Sequence, residues 1–123
     1  MLIVAREFAA QLAVPVLISD AEGRLVYFNE AAEEVVGQSF AEAGELPASE
    51  YASIFSITDE EGRPLDSGEL PSSIALQELK PTHGTLNIVG LDDVGRAIEV
   101  TAIPLLARRD EPVGVMRIFW PVS

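Results

Sequence analysis

Residues 14–37 read VPVLISDAEGRLVYFNEAAEEVVG and predict a strand, a turn, a second strand and a helix with almost no connecting chain. Val16–Ile18 is a short apolar run, and Leu25–Phe28 is a second run of apolar and aromatic residues. Between them, Asp20 can bond to nearby backbone and Gly23 can adopt a positive φ, which suits a tight turn. The two runs therefore predict a β-hairpin.

A helix is expected directly after this hairpin. Asn29 stands at the N-cap position before the helix-forming residues Glu30–Glu34, and Gly37 is placed to end the helix. Such a compact strand–strand–helix opening suits a small α+β domain of the sensory type better than an enzyme.

The composition indicates one globular domain. The chain has 123 residues, of which 48% are hydrophobic, enough for a single core and too many for a disordered chain. It contains no cysteine, which excludes disulfides, thiolate zinc sites, iron–sulfur clusters and cysteinyl adducts of a flavin or another chromophore. The absence of cysteine fits a reducing compartment, and we expect a cytoplasmic protein.

The net charge is −12, from 20 acidic and 8 basic residues. Such a surface repels a phosphate backbone and an anionic membrane, which argues against binding to nucleic acid or to a membrane surface. Charge of this size favours solubility. The alternative interpretation is a docking face for a basic partner.

The N-terminal segment predicts an amphipathic helix over about Leu2–Leu12, since its apolar residues lie near helical spacing. Arg6 and Pro15 interrupt the apolar stretch, which argues against a signal peptide and against the ~20 apolar residues of a membrane span. We therefore divide the chain into a helix at residues 1–12 and a domain at residues 13–123.

Further elements follow from the remaining pattern. Residues 38–53 predict short helical turns and loop, anchored by Phe40, Leu46 and Tyr51. The other predictions are a short strand (Ile54–Thr58), a turn (Asp59–Pro64), a helix (Glu69–Leu79) and three strands (Thr85–Val89, Arg96–Pro104 and Val113–Trp120). Consecutive strands joined by short turns form an antiparallel meander, with the middle helices on one face.

The last predicted strand is apolar in both of its alternating sets. One set is Val113, Val115 and Phe119, and the other is Met116, Ile118 and Trp120. A strand with one face in water alternates apolar and polar residues, so both faces of this sheet need cover from the N-terminal helix, a second copy, or both. The alternative is a lightly covered sheet edge. We predict a homodimer whose interface contains Leu2, Ile3, Phe8, Leu12, Val115 and Phe119.

The order of these elements resembles a PAS domain over about Ala13–Val122. Residues 15–37 are similar to the PAS opening, and DEEGRPLDSGELPSSIALQEL at residues 59–79 resembles the PAS segment in which a turn leads to the last helix. Three terminal strands, with Val-Gly-Val in the last, complete the pattern. The resemblance implies a PAS-like five-stranded antiparallel sheet with helices on one face, preceded here by the N-terminal helix.

The resemblance implies a sensory or protein-interaction module of signal transduction that holds a small ligand between sheet and helices. One alternative is a ligand-free dimerisation scaffold, and another is a small α+β hydrolase or isomerase. PAS domains within larger sensors often end on Asp-x-Thr, whereas this chain reads Pro121-Val122-Ser123. We expect either a fragment of a longer sensor or a stand-alone module, with the effector unidentified.

The known PAS cofactors each require particular residues. Heme-binding members use an axial His, usually on the helix before the last three strands, and His83 lies beyond that helix, so this role is disfavoured. Carboxylate-binding members use clustered basic residues, but the arginines considered resemble turn or strand-start positions: Arg63, Arg96, Arg108 and Arg109. No cofactor is identified, and no metal site is expected from the loop carboxylates.

The candidate ligand-binding residues are polar positions that could reach the pocket: Tyr27, Asn29, Ser73, Thr85, Asn87 and Thr101. Each has a structural alternative. Asn29 is equally suited to capping a helix, and Tyr27 to anchoring the core. Thr85 and Asn87 share one strand face and could face solvent. No catalytic residues are assigned, because the Ser72-Ser73 pair lies near no predictable His–Asp partner.

Overall fold

The computed structural model describes residues 2–47, 54–108 and 110–122. The strands in this part of the chain are β1 (Val16–Asp20), β2 (Leu25–Phe28), β3 (Thr82–Val89), β4 (Gly95–Arg108) and β5 (Glu111–Pro121). They form one antiparallel sheet in the order β2-β1-β5-β4-β3. The predicted five-stranded antiparallel sheet is confirmed, and β5 joins the N-terminal hairpin to the C-terminal meander.

The turn between β1 and β2 forms as the sequence predicts. The Asp20 carboxylate accepts hydrogen bonds from the backbone N–H groups of Glu22 at 2.9 Å and Arg24 at 3.0 Å. Gly23 adopts φ +88°, a left-handed conformation that glycine takes without a steric cost. The side chain of Asp20 thus closes the hairpin that begins the fold.

The predicted helix after Asn29 is split. A 3₁₀ turn (Glu30–Ala32) comes first and continues into the one-turn helix α2 (Glu33–Val36). Gly37 ends it with φ +92°, as predicted. A Cβ at this glycine would lie 2.6 Å from the backbone nitrogen of Asp92, so the β3–β4 loop can approach only because position 37 has no side chain.

Asn29 connects three segments while fully buried, at 1% exposure. Its Oδ1 accepts hydrogen bonds from the N–H groups of Val16 and Ala32, both at 3.0 Å. Its Nδ2 donates to the carbonyl oxygens of Ala9 and Val14, both at 2.9 Å. The predicted N-cap is confirmed, and the amide group additionally binds the end of the N-terminal helix and the start of β1.

Helix α1 (Leu2–Ala10) covers the outer face of the sheet, which we define by Val16, Ile18 and Met116. It packs there through two small residues, Ala5 and Ala9. The side chains of Ile3, Val4 and Phe8 remain exposed. Among the described residues, no helix is long and apolar enough to cross a membrane.

The other helices cover the inner face, which we define by Leu17, Val115 and Phe119. Helix α3 (Phe40–Ala43) begins at its N-cap Ser39, and helix α4 (Pro71–Glu78) begins with proline in its first turn. The main core lies between this face and the helices, and its aromatic members are Phe28, Phe55 and Phe119. The predicted helix Glu69–Leu79 is confirmed, two residues shorter at its start and one at its end.

The prediction that Val115 and Phe119 form part of an outer interface is wrong. Val115 and Phe119 belong to the inner face, where Val115 packs with Ala75 of α4, so they are not part of an outer interface. The alternating residues Met116, Ile118 and Trp120 face outward instead, because successive residues of a strand point to opposite faces. Leu12 is half-buried against the outer cluster, and the side chain of Leu2 and residue Tyr51 lie outside the described part.

Ile54–Thr58 does not form the predicted strand. Ser56 has φ +46°, which turns the chain, and only Thr58 makes isolated bridges, to Pro64 and Asn87. The predicted turn that follows is confirmed, since the Asp59 carboxylate accepts from the N–H groups of Glu61 and Arg63, both at 2.9 Å. β3 begins three residues earlier than predicted, at Thr82.

Replacing the Asn29 amide should destabilise the whole domain. We expect Asn29→Ala to lower the free energy of unfolding by about 3 kcal/mol, about 1 for the lost cap and the rest for buried groups left unbonded. Asn29→Asp should retain the two acceptor bonds and lose the donations to Ala9 and Val14. Urea denaturation followed by circular dichroism measures these changes.

Ser39→Ala is the matched control, because the Ser39 hydroxyl caps α3 at an exposed site by accepting from the Glu42 N–H at 3.2 Å and donating to the Glu42 carboxylate at 3.0 Å. That loss should be about 1 kcal/mol or less. If Ser39→Ala and Asn29→Ala lower the free energy of unfolding equally, capping alone accounts for the effect. That result would contradict the proposal that Asn29 also joins α1 and β1 to the helical turn.

An ion pair within the β3–β4 connection accompanies two hydrogen bonds from this segment to backbone carbonyls of α2. The Arg96 guanidinium donates to Asp92 at 2.9 Å and to the carbonyl oxygen of Val35 at 3.2 Å. The N–H of Leu91 also donates to the carbonyl of Val36. The hydrogen bond from Arg96 lowers the pKa of Asp92 from 3.8 to about 2.

This lowered pKa predicts a pH-dependent contribution to stability. Because the folded state holds the carboxylate ionised, the contribution is present above pH 3.8 and is lost as the pH falls towards about 2. The difference in unfolding free energy between the native chain and Asp92→Asn should therefore be largest at neutral pH and shrink over that window. Urea unfolding at several pH values, with Asp93→Asn as the matched neighbour, measures it. A difference that stays constant down to pH 2 would contradict the role of the ion pair.

Candidate functional site

An apolar cavity of about 50 Å³ lies between the inner face of the sheet and the helices. Leu17, Ile98 and Val100 line it from the strands, Val36 from α2 and Leu70 from the segment before α4. These positions result from strand alternation, which sends each second residue of β1 and β4 towards the helices. The cavity therefore lies between the sheet and the helices, at the position that the sequence predicts for a pocket.

The size of this cavity limits what it can contain. A cavity of about 150 Å³ accommodates a benzene molecule, and pockets for larger ligands have volumes of about 300–1,000 Å³. With 50 Å³, the interior has no room for a flavin or a heme in this arrangement of side chains. Phe55, Ile57 and Phe119 occupy the adjoining space.

Arg117 is the basic residue at this cavity, and it was missing from the arginines considered from the sequence. It is 6% exposed, lies on the inner face of β5, and donates a hydrogen bond to the hydroxyl of Ser19 on β1. Alternation along Val113–Trp120 would have revealed it, because Arg117 is the one charged residue in the inward set.

A second, open space of about 280 Å³ adjoins Arg117, between α4 and the β1–β2 turn. We call it the α4 cleft. Its sheet side contains Ser19, Val115 and Arg117, and its helix side contains Ser72, Ser73 and Gln77. Of the predicted ligand-binding residues, Ser73 is the one that lies here, and its assignment stays a prediction.

Tyr27 and Asn29 do not line the cavity. Tyr27 lies on the outer side, with its ring 5.4 Å from that of Phe40 and 5.0 Å from the Arg6 guanidinium of α1. The hydrogen bonds that the Asn29 side chain accepts and donates are all with backbone groups. These two residues therefore connect α1 and the helices to the sheet.

Thr85, Asn87 and Thr101 also point away from the cavity. Leu86, Ile88 and Val100, their strand neighbours, are the residues that line it. The Asn87 amide donates to the carbonyl of Asp59 at 3.1 Å, which holds the turn beside the edge strand. None of these three residues lines the cavity, and the alternative given for Thr85 and Asn87, a strand face turned away from the pocket, agrees with the structure.

His83 lies on the outer face with Thr101 and Glu99. Its Nδ1 is 2.9 Å from the Thr101 hydroxyl, its Nε2 is 3.7 Å from the Glu99 carboxylate, and Glu99 also accepts from Trp120. Hydroxyl, imidazole and carboxylate are the groups of a nucleophilic triad. Here they lie on an open sheet face outside the cavity and the cleft. No three His, Cys, Asp or Glu side chains within residues 2–47, 54–108 and 110–122 form a metal site.

No protein-family model and no curated protein matches the sequence. The structure is similar to solved structures instead. The PAS domain of nitrogen regulation protein NR(II) from Vibrio parahaemolyticus has a TM-score of 0.66 and 18% identity, over 97% of this chain and 98% of that one.

Two further structures extend the comparison. The PAS domain of BvgS from Bordetella pertussis has a TM-score of 0.64 and 14% identity, over 99% of this chain and 85% of that one. A LOV protein from Rhodobacter sphaeroides has a TM-score of 0.72 and 14% identity, over 96% of this chain and 65% of that one. At these identities the likeness concerns the backbone, and it agrees with the strand order and the helices of the inner face: the chain has the PAS fold.

Proposed function

We propose that this chain is a sensory and protein-interaction module of signal transduction, which acts as a cytoplasmic homodimer and passes its signal to an effector protein or domain. The shared fold supports the proposal, since structures with this fold include PAS domains of a nitrogen regulation protein and of BvgS. The net charge of −12 favours a protein partner over nucleic acid.

The observation that carries the proposal is the surface of α1. Among the side chains of α1 that the structure describes, Ala5 and Ala9 are the buried ones, while Ile3, Val4 and Phe8 are 71%, 66% and 57% exposed. Three neighbouring apolar side chains on one short helix form a patch that a second copy can cover by two-fold symmetry. The predicted interface thus retains Ile3 and Phe8 and replaces Val115 and Phe119 by the remaining surface of α1.

A charge on this patch should separate the dimer. We expect the native chain to have the mass of two copies at tens of micromolar in light scattering, and Phe8→Glu to have the mass of one. The physical reason is that a carboxylate buried in an apolar interface loses its hydration without gaining a partner.

Val94→Glu is the matched control, because Val94 is 48% exposed and lies in the β3–β4 loop, away from α1. It adds the same charge to the chain and should leave the mass of two copies unchanged. A native chain with the mass of one copy would refute the homodimer, and dissociation by both variants would point to net charge as the cause.

The size of the inner cavity favours a second candidate, a dimerisation scaffold that holds no ligand between sheet and helices. A space of about 50 Å³ is small enough to be a packing defect. In both candidates we propose that the protein is not an enzyme, that it carries no heme on His83, and that it forms no cysteinyl-flavin adduct. The position of His83 on the outer face supports the second of these.

Adding a methylene group beside the inner cavity tests whether the cavity is empty in solution. Val100→Ile adds one methylene next to the cavity and should leave the unfolding free energy within about 0.5 kcal/mol of the native value. The same change at Val16, which is 0% exposed in the outer cluster, should cost about 1–3 kcal/mol through overpacking. Equal losses at both positions, measured by urea denaturation, would show that the cavity is not available in solution.

A further inference from the structure

The edge of the sheet at β3 is covered along part of its length. The strand order places β3 at one edge, beside β4. Thr58 exchanges two hydrogen bonds with Asn87, at 2.9 and 3.0 Å, and the carbonyl of Phe55 accepts from the N–H of Val89 at 2.8 Å. The chain then turns away from the edge at Asp59, so this cover reaches only the second half of β3 in the described part.

The register of β3 shows which backbone groups face this edge. In an antiparallel pair, opposite residues alternate between pairs that exchange hydrogen bonds and pairs whose N–H and C=O groups point away from each other. Asn87 and its partner Ala97 form a pair of the second kind, since the Asn87 bonds go to the edge and the Ala97 carbonyl accepts from Val122 at 2.9 Å. The register continues without a shift, so the backbone groups of His83 and Thr85 also face the edge.

These outward groups are open for pairing. No hydrogen bond joins the backbone N–H and C=O groups of His83 and Thr85 to a further residue within the ranges that the structure describes. Proteins commonly guard such an edge with proline, lysine, a bulge or an inward-pointing charge. Residues 82–86 read THGTL and contain none of these devices. This stretch, which we call the open edge, is therefore a template for an extended peptide.

The charge beside the open edge favours a basic peptide. Glu60 and Glu61 are exposed in the turn where the covering segment leaves β3, and Glu99 lies on the outer face of the neighbouring strand β4. The basic residues nearby, Arg63 and Lys80, are already paired with carboxylates. An added strand would lie about 10 Å from β4, a distance that lysine and glutamate side chains can bridge between them. The net charge of −12 acts in the same direction.

We propose that the open edge binds an extended, basic segment of a partner protein, which joins the sheet as an additional strand. The backbone groups of His83 and Thr85 provide the pairing, and the carboxylates of Glu60, Glu61 and Glu99 favour lysine or arginine at alternate positions of the segment. The inference deepens the proposed function, on which it rests for its role in signalling, by giving the chemistry of the effector.

The test is independent of the homodimer, because the open edge and the exposed residues of α1 are different surfaces. If the peptide does not bind, the masses of the native chain and of Phe8→Glu are unaffected. If the chain is not a dimer, peptide binding to β3 is unaffected.

Hydrogen exchange measures the pairing at single amides. In the free chain the amides of Gly84 and Leu86, which bond to β4, should exchange more slowly than those of His83 and Thr85. The probe is a synthetic peptide of three Lys-Val repeats, blocked at both ends and titrated into the ¹⁵N-labelled chain. We expect saturable shifts of the amide signals of residues 82–86, together with slower exchange at His83 and Thr85.

Two further peptides separate charge from strand pairing. Three Glu-Val repeats offer the same backbone with the opposite charge and should bind at least about tenfold more weakly. Three Lys-Pro repeats keep the charge but lack every second N–H group, and they should not slow exchange at His83 and Thr85. Binding of the Lys-Val peptide should weaken as sodium chloride is raised, because salt screens exposed charges.

Variants of the chain assign the binding to the open edge. Thr85→Pro removes an N–H that points away from β4, a position where an edge strand tolerates proline, and should weaken the Lys-Val peptide at least about tenfold. Thr85→Val keeps that N–H and should change affinity less than about twofold. Glu99→Gln should weaken binding about threefold, whereas Glu22→Gln, in the exposed turn at the far side of the sheet, should change it less than about twofold.

Several results would overturn the proposal. These are an absence of saturable shifts with the Lys-Val peptide, equal binding of the Glu-Val peptide, unchanged exchange at His83 and Thr85, or an affinity that Thr85→Pro leaves unaltered. A lower mass of Thr85→Pro than of the native chain in light scattering would show that the edge holds a second copy instead. If Thr85→Pro does not fold, exchange in the native chain and the Lys-Pro peptide decide the question.

Discussion

The fold depends on the hydrogen bonds of one buried amide, that of Asn29. Its oxygen accepts from two backbone N–H groups, and its nitrogen donates to the carbonyls of Ala9 and Val14 and, at 3.5 Å, of Leu12. The end of α1, the start of β1 and the first turn of the inner helices are therefore joined at one point. A carboxamide provides acceptors and donors on one short side chain, which a hydroxyl or carboxylate does not. Helix α1 is consequently fixed to the sheet by polar bonds at its C-terminal end, and the buried side chains among those described in it are the small residues Ala5 and Ala9. Its larger apolar side chains are therefore left for the surface.

The features that the sequence predicts correctly are local ones. The Asp20–Gly23 turn, the cap at Asn29 and the stop at Gly37 each depend on side-chain chemistry within a few residues. The further bonds of Asn29 join positions up to 20 residues apart, which no local pattern indicates. Ile54–Thr58 has strand-like composition, but Ser56 turns the chain there, and β-propensity yields to such context.

The site could be predicted only in part, because alternation divides a strand into two sets without saying which one the helices cover. In β3 the sets are Thr85 with Asn87 and Leu86 with Ile88, and only the second lines the cavity. In β5 the assignment of Val115 and Phe119 to the outer face fails for the same reason. The apolar majority of β5 draws attention away from Arg117, although a single charged residue in an inward-facing set is itself informative, because charged residues are seldom buried.

Strand β5 links the packing on the two faces of the sheet, as the position of Arg117 illustrates. Its neighbours in β5, Met116 and Ile118, point to the opposite side of the sheet and belong to the cluster beneath Ala5 and Ala9 of α1. A close-packed interior transmits small displacements, since side chains in contact cannot move independently. Because Ala5 and Ala9 of α1 pack on that cluster, a displacement of β5 on its inner side would also move the helix that exposes Ile3 and Phe8.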